Sequence, residues 1–263
     1  MGLAAMTVVV KVGGALIESD FARISLMQRL KPLMAARGVV LIHGGGAQAS
    51  ALAKRMGHTP RMVNGRRVTT DLDLDIHLWI AVGELNARLA AAAFASGLSA
   101  SGISGASGGM LEVVRRAPRL INGETIDFGW VGDIMRVEPT LLTTLLERST
   151  MPIVAPLGVD RAGLLYNVNA DSVAAHLSLA LNAQSLIFLA ESGGLRQSAD
   201  PTSARIAEVD RLSFAQGQRE GWIRDGMIAK LENAFAARSD GVANVYICAP
   251  EDLEAPERGT RIL

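Results

Sequence analysis

Three charged residues stand where charge is costly, and together they define a chemistry. Lys11 lies in the run Thr7–Val8–Val9–Val10–Lys11–Val12–Gly13–Gly14. So apolar a run reads as a strand buried on both faces, where lysine is almost never found without a partner. Two readings are open: a gatekeeper on an edge strand, or a cation at the strand's carboxyl end facing a crevice that binds an anion. Gly13 and Gly14 follow at once, where a ligand could approach the backbone, and they favour the crevice. Asp171 follows Asn169 into a helix, and Lys230 sits in Asp225–Gly226–Met227–Ile228–Ala229–Lys230, near a helix start. Singly, each has an ordinary explanation: Asn169 as N-cap, Asp171 as a complement to the helix dipole, Lys230 as a solvated cation. Together they supply two ammonium groups held by one carboxylate.

Phosphoryl transfer needs that set. Its transition state spreads negative charge over equatorial oxygens, and the protein's task is to position and neutralise. His43–Gly44–Gly45–Gly46 adds a second element of the same kind. Three glycines between a strand and a helix leave backbone amides accessible and open φ values forbidden to other residues. At a helix N-terminus such amides cradle phosphate or carboxylate oxygens; the plainer alternative is a tight turn. His43 itself reads as a packed strand-end residue.

The elements that must position these groups alternate along the chain. Thr7–Val12 and Val39–Ile42 read as buried strands. Phe21, Ile24, Met27, Leu30 and Leu33 repeat at helical spacing between them. A helix follows over Ala47–Met56, and Asp71–Ala95 reads as one long helix. Met110–Val114 and Trp130–Val137 read as strands around a polar excursion that turns at Asn122–Gly123. Pro139–Glu147 is helical with proline at its start. Met151–Ala155, Leu164–Tyr166, Ser185–Leu189 and Asn244–Cys248 are strand-like. Helices follow Asn169, reaching about Leu181, and cover Val209–Gln216 and Met227–Ala237. Alternation of this kind predicts an α/β fold with a mostly parallel sheet covered on both faces.

Composition narrows the function. The chain has 263 residues, 49% hydrophobic, with Lys+Arg 26 against Asp+Glu 26. That balance leaves no electrostatic footprint for nucleic acid or an anionic membrane. Cys248 is the one cysteine, so no intramolecular disulfide forms, and a reducing cytoplasm fits. The early apolar run is interrupted by Lys11, and Leu89–Ala95 is too short to span a bilayer. His43, His58, His77 and His176 lack metal-ligand spacing. A P-loop, the protein-kinase signature elements and the dinucleotide glycine fingerprint are all absent from the sequence.

Taken in order, VVVKVGG, LIHGGG, NGRRVT, FGWVGDI, YNVNAD and DGMIAK resemble the amino-acid kinase superfamily, and within it the acetylglutamate kinases. The likeness runs from Val8 to the closing Gly259–Thr260–Arg261–Ile262–Leu263. It implies a three-layer αβα sandwich, with an acylamino-acid-binding lobe over residues 1–175 and a nucleotide-binding lobe over 176–263 of one continuous domain. By position it makes Lys11 and Lys230 the transition-state-stabilising lysines and Asp171 the residue that organises them. Gly45 and Gly46 match the backbone that meets the substrate; Gly13, Gly14 and Gly44 complete the phosphate-binding turns. Arg67 and Asn167 match the residues that hold the substrate's α-carboxylate, a role suited to arginine's planar fork. The implied reaction is ATP-dependent phosphorylation of the γ-carboxylate of N-acetyl-L-glutamate in arginine biosynthesis, with Mg²⁺ accompanying ATP and held chiefly by phosphates and water. The acceptor is already ionised near neutral pH and needs no general base.

Departures from the family pattern shape the remaining expectations. Ala190–Glu191 stands where relatives commonly carry a Ser/Thr–Asp pair. Few residues precede Thr7, which points to a homodimer without arginine feedback. Arg66 could meet a succinyl carboxylate, or it could face solvent; acetyl is the default. Rival readings are an α/β-hydrolase with Ser107 in Gly105–Ala106–Ser107–Gly108–Gly109, a non-catalytic ATP-binding regulator, and a kinase acting on carrier-linked aminoadipate or glutamate. The hydrolase reading asks for a helix after Ser107, where Met110–Val114 reads as extended.

Overall fold

The computed structural model describes residues 7–121, 123–197, 203–224 and 226–263; Asn122 of the expected turn and Asp225 lie outside the described residues. Val8–Val12 is buried along its whole length. Its continuous β-branched character suits a strand with covered faces, and it pairs in parallel with both Val39–His43 and Ser185–Leu189. Among the described residues these strands lie inside an eight-stranded sheet. From one edge the order is Glu208–Val209, Thr260–Ile262, Asn244–Cys248, Ser185–Leu189, Val8–Val12, Val39–His43, Met151–Ala155 and Ala100–Ser104. Thr260–Ile262 runs antiparallel to Asn244–Cys248, and Glu208–Val209 follows it in parallel. The other neighbours are parallel.

Strand alternation divides the core into two layers. Val8, Val10, Val12 and Leu41 pack with the Asp20–Ala36 and Asn86–Ala95 helices. Val9, Val40, Ile42 and Phe188 turn the other way, against the Ala170–Ala180 and Gly226–Ser239 helices. A fully buried side chain of Phe188's kind is worth about 1.5–3 kcal/mol of transfer free energy. Lys11 shares its parity with Val9 and therefore points to the second layer. This is the α/β fold with helices on both sides that the sequence predicts.

Several boundaries move. Val209 belongs to the edge strand, so the helix expected from that residue runs Arg211–Glu220, capped by Asp210. Ala100–Ser104 is a strand the apolar patterning does not announce. Gly102 within it packs against Asn86, where a Cβ would come within 3.1 Å of the asparagine's own. A smaller antiparallel-rich sheet of Leu165–Asn167, Leu157–Val159, Leu111–Arg115 and Gly132–Val137 sits beside the main one. The hairpin Arg119–Ile121 with Glu124–Ile126 extends from it.

Asp71–Ala95 is helical throughout, with a π-helical stretch at Leu78–Leu85. Its 25 residues are long and apolar enough to cross a membrane by length and composition, although Leu89–Ala95 alone is too short. Here Ile76, Ile80, Leu85 and Leu89 are buried in the first core layer.

Candidate active site

The parallel strands put their carboxyl ends on one edge, and the loops that leave them converge there. Gly13–Gly14 follows Val12, and Gly44–Gly46 follows His43. Gly44 donates its amide to the Val12 carbonyl at 2.9 Å. A Cβ on Gly44 would lie 3.6 Å from the Gly14 nitrogen, an ordinary contact distance, whereas one on Gly14 would run into the Gln48 side chain. Gly45, the residue before the Gly46–Arg55 helix, faces Leu85, whose Cδ1 would stand 3.0 Å from an added Cβ. None of these five glycines has a positive φ. The expectation that the triple glycine opens φ values forbidden to other residues is therefore corrected; a side chain would be crowded at Gly45, while Gly46 faces open space.

Lys11, Asp171 and Lys230 meet across 219 residues of chain (230 minus 11). The Lys11 ammonium lies 2.7 Å from Asp171 Oδ1, and Lys230 lies 3.5 Å from the same oxygen. Their side chains are about 10–12% exposed. Asn169 caps the Ala170–Ala180 helix by accepting the Ser172 amide at 3.0 Å, which sets Asp171 in the first turn. Lys230 rides on the Gly226–Ser239 helix, its ammonium 5.3 Å from the Phe188 ring centroid. Burial pushes the Asp171 carboxyl up, but the Lys11 and Lys230 charges together outweigh it and hold it below the usual carboxylate range. Burial pushes Lys230 down to about 8, against the attraction of Asp171 and with the help of Lys11. A cluster that carries one more cation than anion is a seat for a further negative group.

Beside it lies a cavity of about 360 Å³ whose walls include Gly44–Gly46, Arg66, Arg67, Asn167 and Asn169–Ala170. Arg67 donates through Nη2 to Ser50 Oγ at 2.6 Å and to the Gly46 carbonyl at 3.3 Å, and through Nη1 to Asp73 at 3.2 Å. Asn167 donates to Thr69 Oγ1 at 3.1 Å. Gly44, Gly45, Gly46, Arg67 and Asn167 thus line the cavity, and Lys11, Asp171 and Lys230 form the charge cluster; Gly13 and Gly14 line neither and lie on the turn after Val12.

Sequence reasoning missed Asp73 and His77, which also line the cavity. The Asp73 side chain is 1% exposed. It completes a capping box with Thr70 and approaches His58 Nε2 at 3.2 Å. Burial pushes its carboxyl up, yet the Thr70 hydroxyl and amide, His58 and Arg67 bring it below the ordinary value. The spacing Thr70-x-x-Asp73 was the available signal. His77 bonds the Pro156 carbonyl through Nε2 at 3.0 Å, and burial lowers its pKa to about 4, so it is neutral near pH 7. His43, fully buried, bonds Asn86 and the Gly44 carbonyl, as a packed strand-end residue does.

Ser107 lies in a 3₁₀ turn between the strands Ala100–Ser104 and Leu111–Arg115, where its hydroxyl accepts the Ser104 amide at 3.1 Å. His176 Nδ1 is engaged with the Ser172 carbonyl inside its own helix. This is strand–turn–strand, without the strand-to-helix elbow a nucleophilic serine requires.

Known proteins share both the sequence and this architecture. Residues 6–249 match the model of the Amino acid kinase family. The acetylglutamate kinase of Anaeromyxobacter sp. (strain K) is 38% identical over 257 residues, covering 95% of this chain and 94% of its own. Among solved structures, smu.665 from Streptococcus mutans UA159 superposes with a TM-score of 0.81 at 24% identity, covering 97% of this chain and 98% of the other. The carbamate kinase of Giardia lamblia, bound to AMP-PNP, superposes with a TM-score of 0.67 at 16% identity, covering 100% and 99%. With the family model spanning nearly the whole chain, this chain belongs to the amino acid kinase family.

Proposed function

We propose that the chain transfers the γ-phosphoryl group of ATP to the γ-carboxylate of N-acetyl-L-glutamate, giving N-acetyl-L-glutamyl 5-phosphate and ADP. This would be a cytoplasmic step of arginine biosynthesis. The observation that carries the reading is the meeting of Lys11, Lys230 and Asp171 beside a cavity walled by Arg67 and Asn167.

Arg67 and Asn167 receive the α-carboxylate of the amino acid, which sends the γ-carboxylate towards the Gly45–Gly46 backbone at the start of a helix. One γ-carboxylate oxygen attacks phosphorus as the bond to the β–γ bridging oxygen breaks, and the displaced charge leaves on ADP. Lys11 and Lys230 neutralise the charge spread over the phosphoryl oxygens. Asp171 holds the two ammonium groups apart at a set spacing, so little reorganisation is needed at the moment of transfer. Because Asp171 is committed to these lysines, it is poorly placed to serve as a metal ligand. Mg²⁺ would arrive with ATP and be held by phosphate oxygens and water.

In this reading the segment after residue 175 carries the nucleotide and the segment before it the amino acid. The relatives' names support the acetyl substrate. Trp79 and Phe94, half and mostly exposed on the Asp71–Ala95 helix, support a homodimer.

A coupled ADP-release assay tests the reaction. N-acetyl-L-glutamate is expected to stimulate ADP formation, and free L-glutamate to do so weakly. ATP binding without acylglutamate-dependent ADP release would overturn the reading, as would a strict requirement for a carrier protein.

A further inference from the structure

Two ties join the turn after Val12 to the segment that opens the next helix. One is the backbone bond from the Gly44 amide to the Val12 carbonyl at 2.9 Å. The other comes from a side chain that the proposed reaction leaves without a task. Gln48, in the first turn of the Gly46–Arg55 helix, donates through Nε2 to the Gly14 carbonyl at 2.8 Å. That carbonyl also accepts the Ile17 amide at 3.1 Å, a bond local to its own turn. Among the described residues, Gln48 is therefore the hydrogen-bond link from the helix to the tip of the turn, two residues beyond the backbone tie.

The Gln48 amide can face only one way. A carbonyl oxygen takes the NH₂ end, and the reverse orientation would set oxygen against oxygen. The Oε1 end is then buried without a hydrogen-bond partner among the described residues. An unpaired buried amide oxygen costs stability, which a purely stabilising side chain would avoid. The same oxygen fills the place of a missing side chain. A Cβ on Gly14 would run into it, and the three nearest heavy atoms would all belong to Gln48. Gly14 has φ −57° and ψ −38°, a conformation open to any residue. Glycine at 14 and glutamine at 48 thus fit each other as a pair.

The two ends of this strap serve different partners in the proposed reaction. The Gly13–Gly14 turn continues the strand that carries Lys11, whereas the helix of Gln48 begins at Gly46, where the γ-carboxylate is received. We infer that Gln48 is a positioning residue, setting the spacing between the turn on the phosphoryl side and the helix on the acceptor side. The inference rests on the proposed phosphoryl transfer to a carboxylate. Productive attack needs the reacting atoms about 3–3.5 Å apart, and the strap fixes the two segments that hold them. With the strap broken, each substrate still finds its own segment, so alignment is lost and affinity is kept.

The strap can be broken from either end. Gln48→Ala removes it, and Gln48→Glu keeps the shape but turns an oxygen towards the Gly14 carbonyl. Gly14→Ala displaces the end of a flexible side chain without straining the backbone, so its thermal midpoint should stay near that of the wild type. In the ADP-release assay each variant is expected to lose roughly 10-fold or more in kcat, with KM for ATP and for N-acetyl-L-glutamate within about threefold of the wild type. The double variant G14A/Q48A should be no worse than the worse single one, because both changes remove the same contact. Wild-type kcat in folded Q48A and Q48E would overturn the inference and leave the kinase reading intact. So would defects that multiply in the double variant, or a raised KM with kcat unchanged. If G14A does not fold, the two Gln48 variants decide. A wild-type protein that releases no ADP in response to acylglutamate would overturn the proposed reaction itself, and this role with it.

Discussion

The ammonium of Lys230 lies 3.5 Å from Asp171 Oδ1, the oxygen that Lys11 reaches at 2.7 Å. One carboxylate therefore holds two buried cations, and the three residues form a unit whose parts have different jobs. The aspartate makes the lysines tolerable inside the protein. The surplus positive charge is what an incoming phosphoryl group would meet.

Removing either lysine should remove a preorganised donor while leaving most packing in place. Lys11→Ala and Lys230→Ala are each expected to lower kcat roughly 100- to 1,000-fold, in line with the loss of one such donor elsewhere. Circular dichroism should report an unchanged fold. Full activity in the double variant would remove the proposed mechanism.

Asp171→Ala should instead be a stability variant as well as an inactive one, because it strands two buried ammonium groups. Breaking a buried pair from one side costs about 3–5 kcal/mol, visible as a lowered thermal midpoint at pH 7. The native carboxyl lies below its ordinary value. Its stabilisation is therefore complete above the unfolded-state pKa of about 3.9 and lost as pH falls through the native value. The gap between variant and wild type should narrow in acid.

The pH dependence of activity follows from Lys230, whose pKa burial lowers to about 8. It is charged below that value and neutral above it, so kcat/KM should fall as pH rises through about 8. The bound triphosphate favours the charged lysine, placing the corresponding fall in kcat at higher pH. Because the unfolded chain keeps this proton until about 10.4, stability from this group rises over the same interval. A Lys230→Arg variant with residual activity should lack the alkaline limb of the profile.

How much of this was legible in the sequence differs from residue to residue. Lys11 announced itself because a charge in an otherwise apolar parallel strand needs a partner. Its pointing direction followed from the parity it shares with Val9. Asp171 and Lys230 carried weaker signals, since an acid in a first turn and a lysine on a helix are ordinary surface choices; order along the chain, matched to a family pattern, linked them. Asp73 was hidden for the same reason: an acid at the third position of a helix is explained locally by its cap, although here it also grips Arg67. The glycine turns were located correctly, but none has a positive φ; at Gly14 and Gly45 the crowding comes from Gln48 and Leu85, side chains distant in sequence that local dihedral reasoning does not reach. The Ala100–Ser104 strand was illegible because Gly102 and the two serines give it neither alternation nor β-branched content beyond Ile103.

Asp73 offers a separate test of how the cavity is built. Asp73→Asn keeps the shape but weakens the grip on Arg67 Nη1 and on the Thr70 cap. The expected result is a raised KM for the amino-acid substrate with kcat changed less, the same direction as Arg67→Ala but smaller. The Thr70 hydroxyl still accepts the amide of residue 73, so the stability change should stay below the ~1 kcal/mol of a lost N-cap. A fall in kcat with KM unchanged would contradict a positioning role.

The central claim is that a carboxylate oxygen, brought to two lysines, receives the phosphoryl group. Hydroxylamine trapping reads the resulting acyl phosphate directly. With ATP, Mg²⁺ and N-acetyl-L-glutamate, the account predicts a γ-hydroxamate formed in step with ADP, and its loss in Lys11→Ala and Lys230→Ala. ADP released without any hydroxamate, or hydroxamate formed at wild-type rates by the double lysine variant, would contradict it.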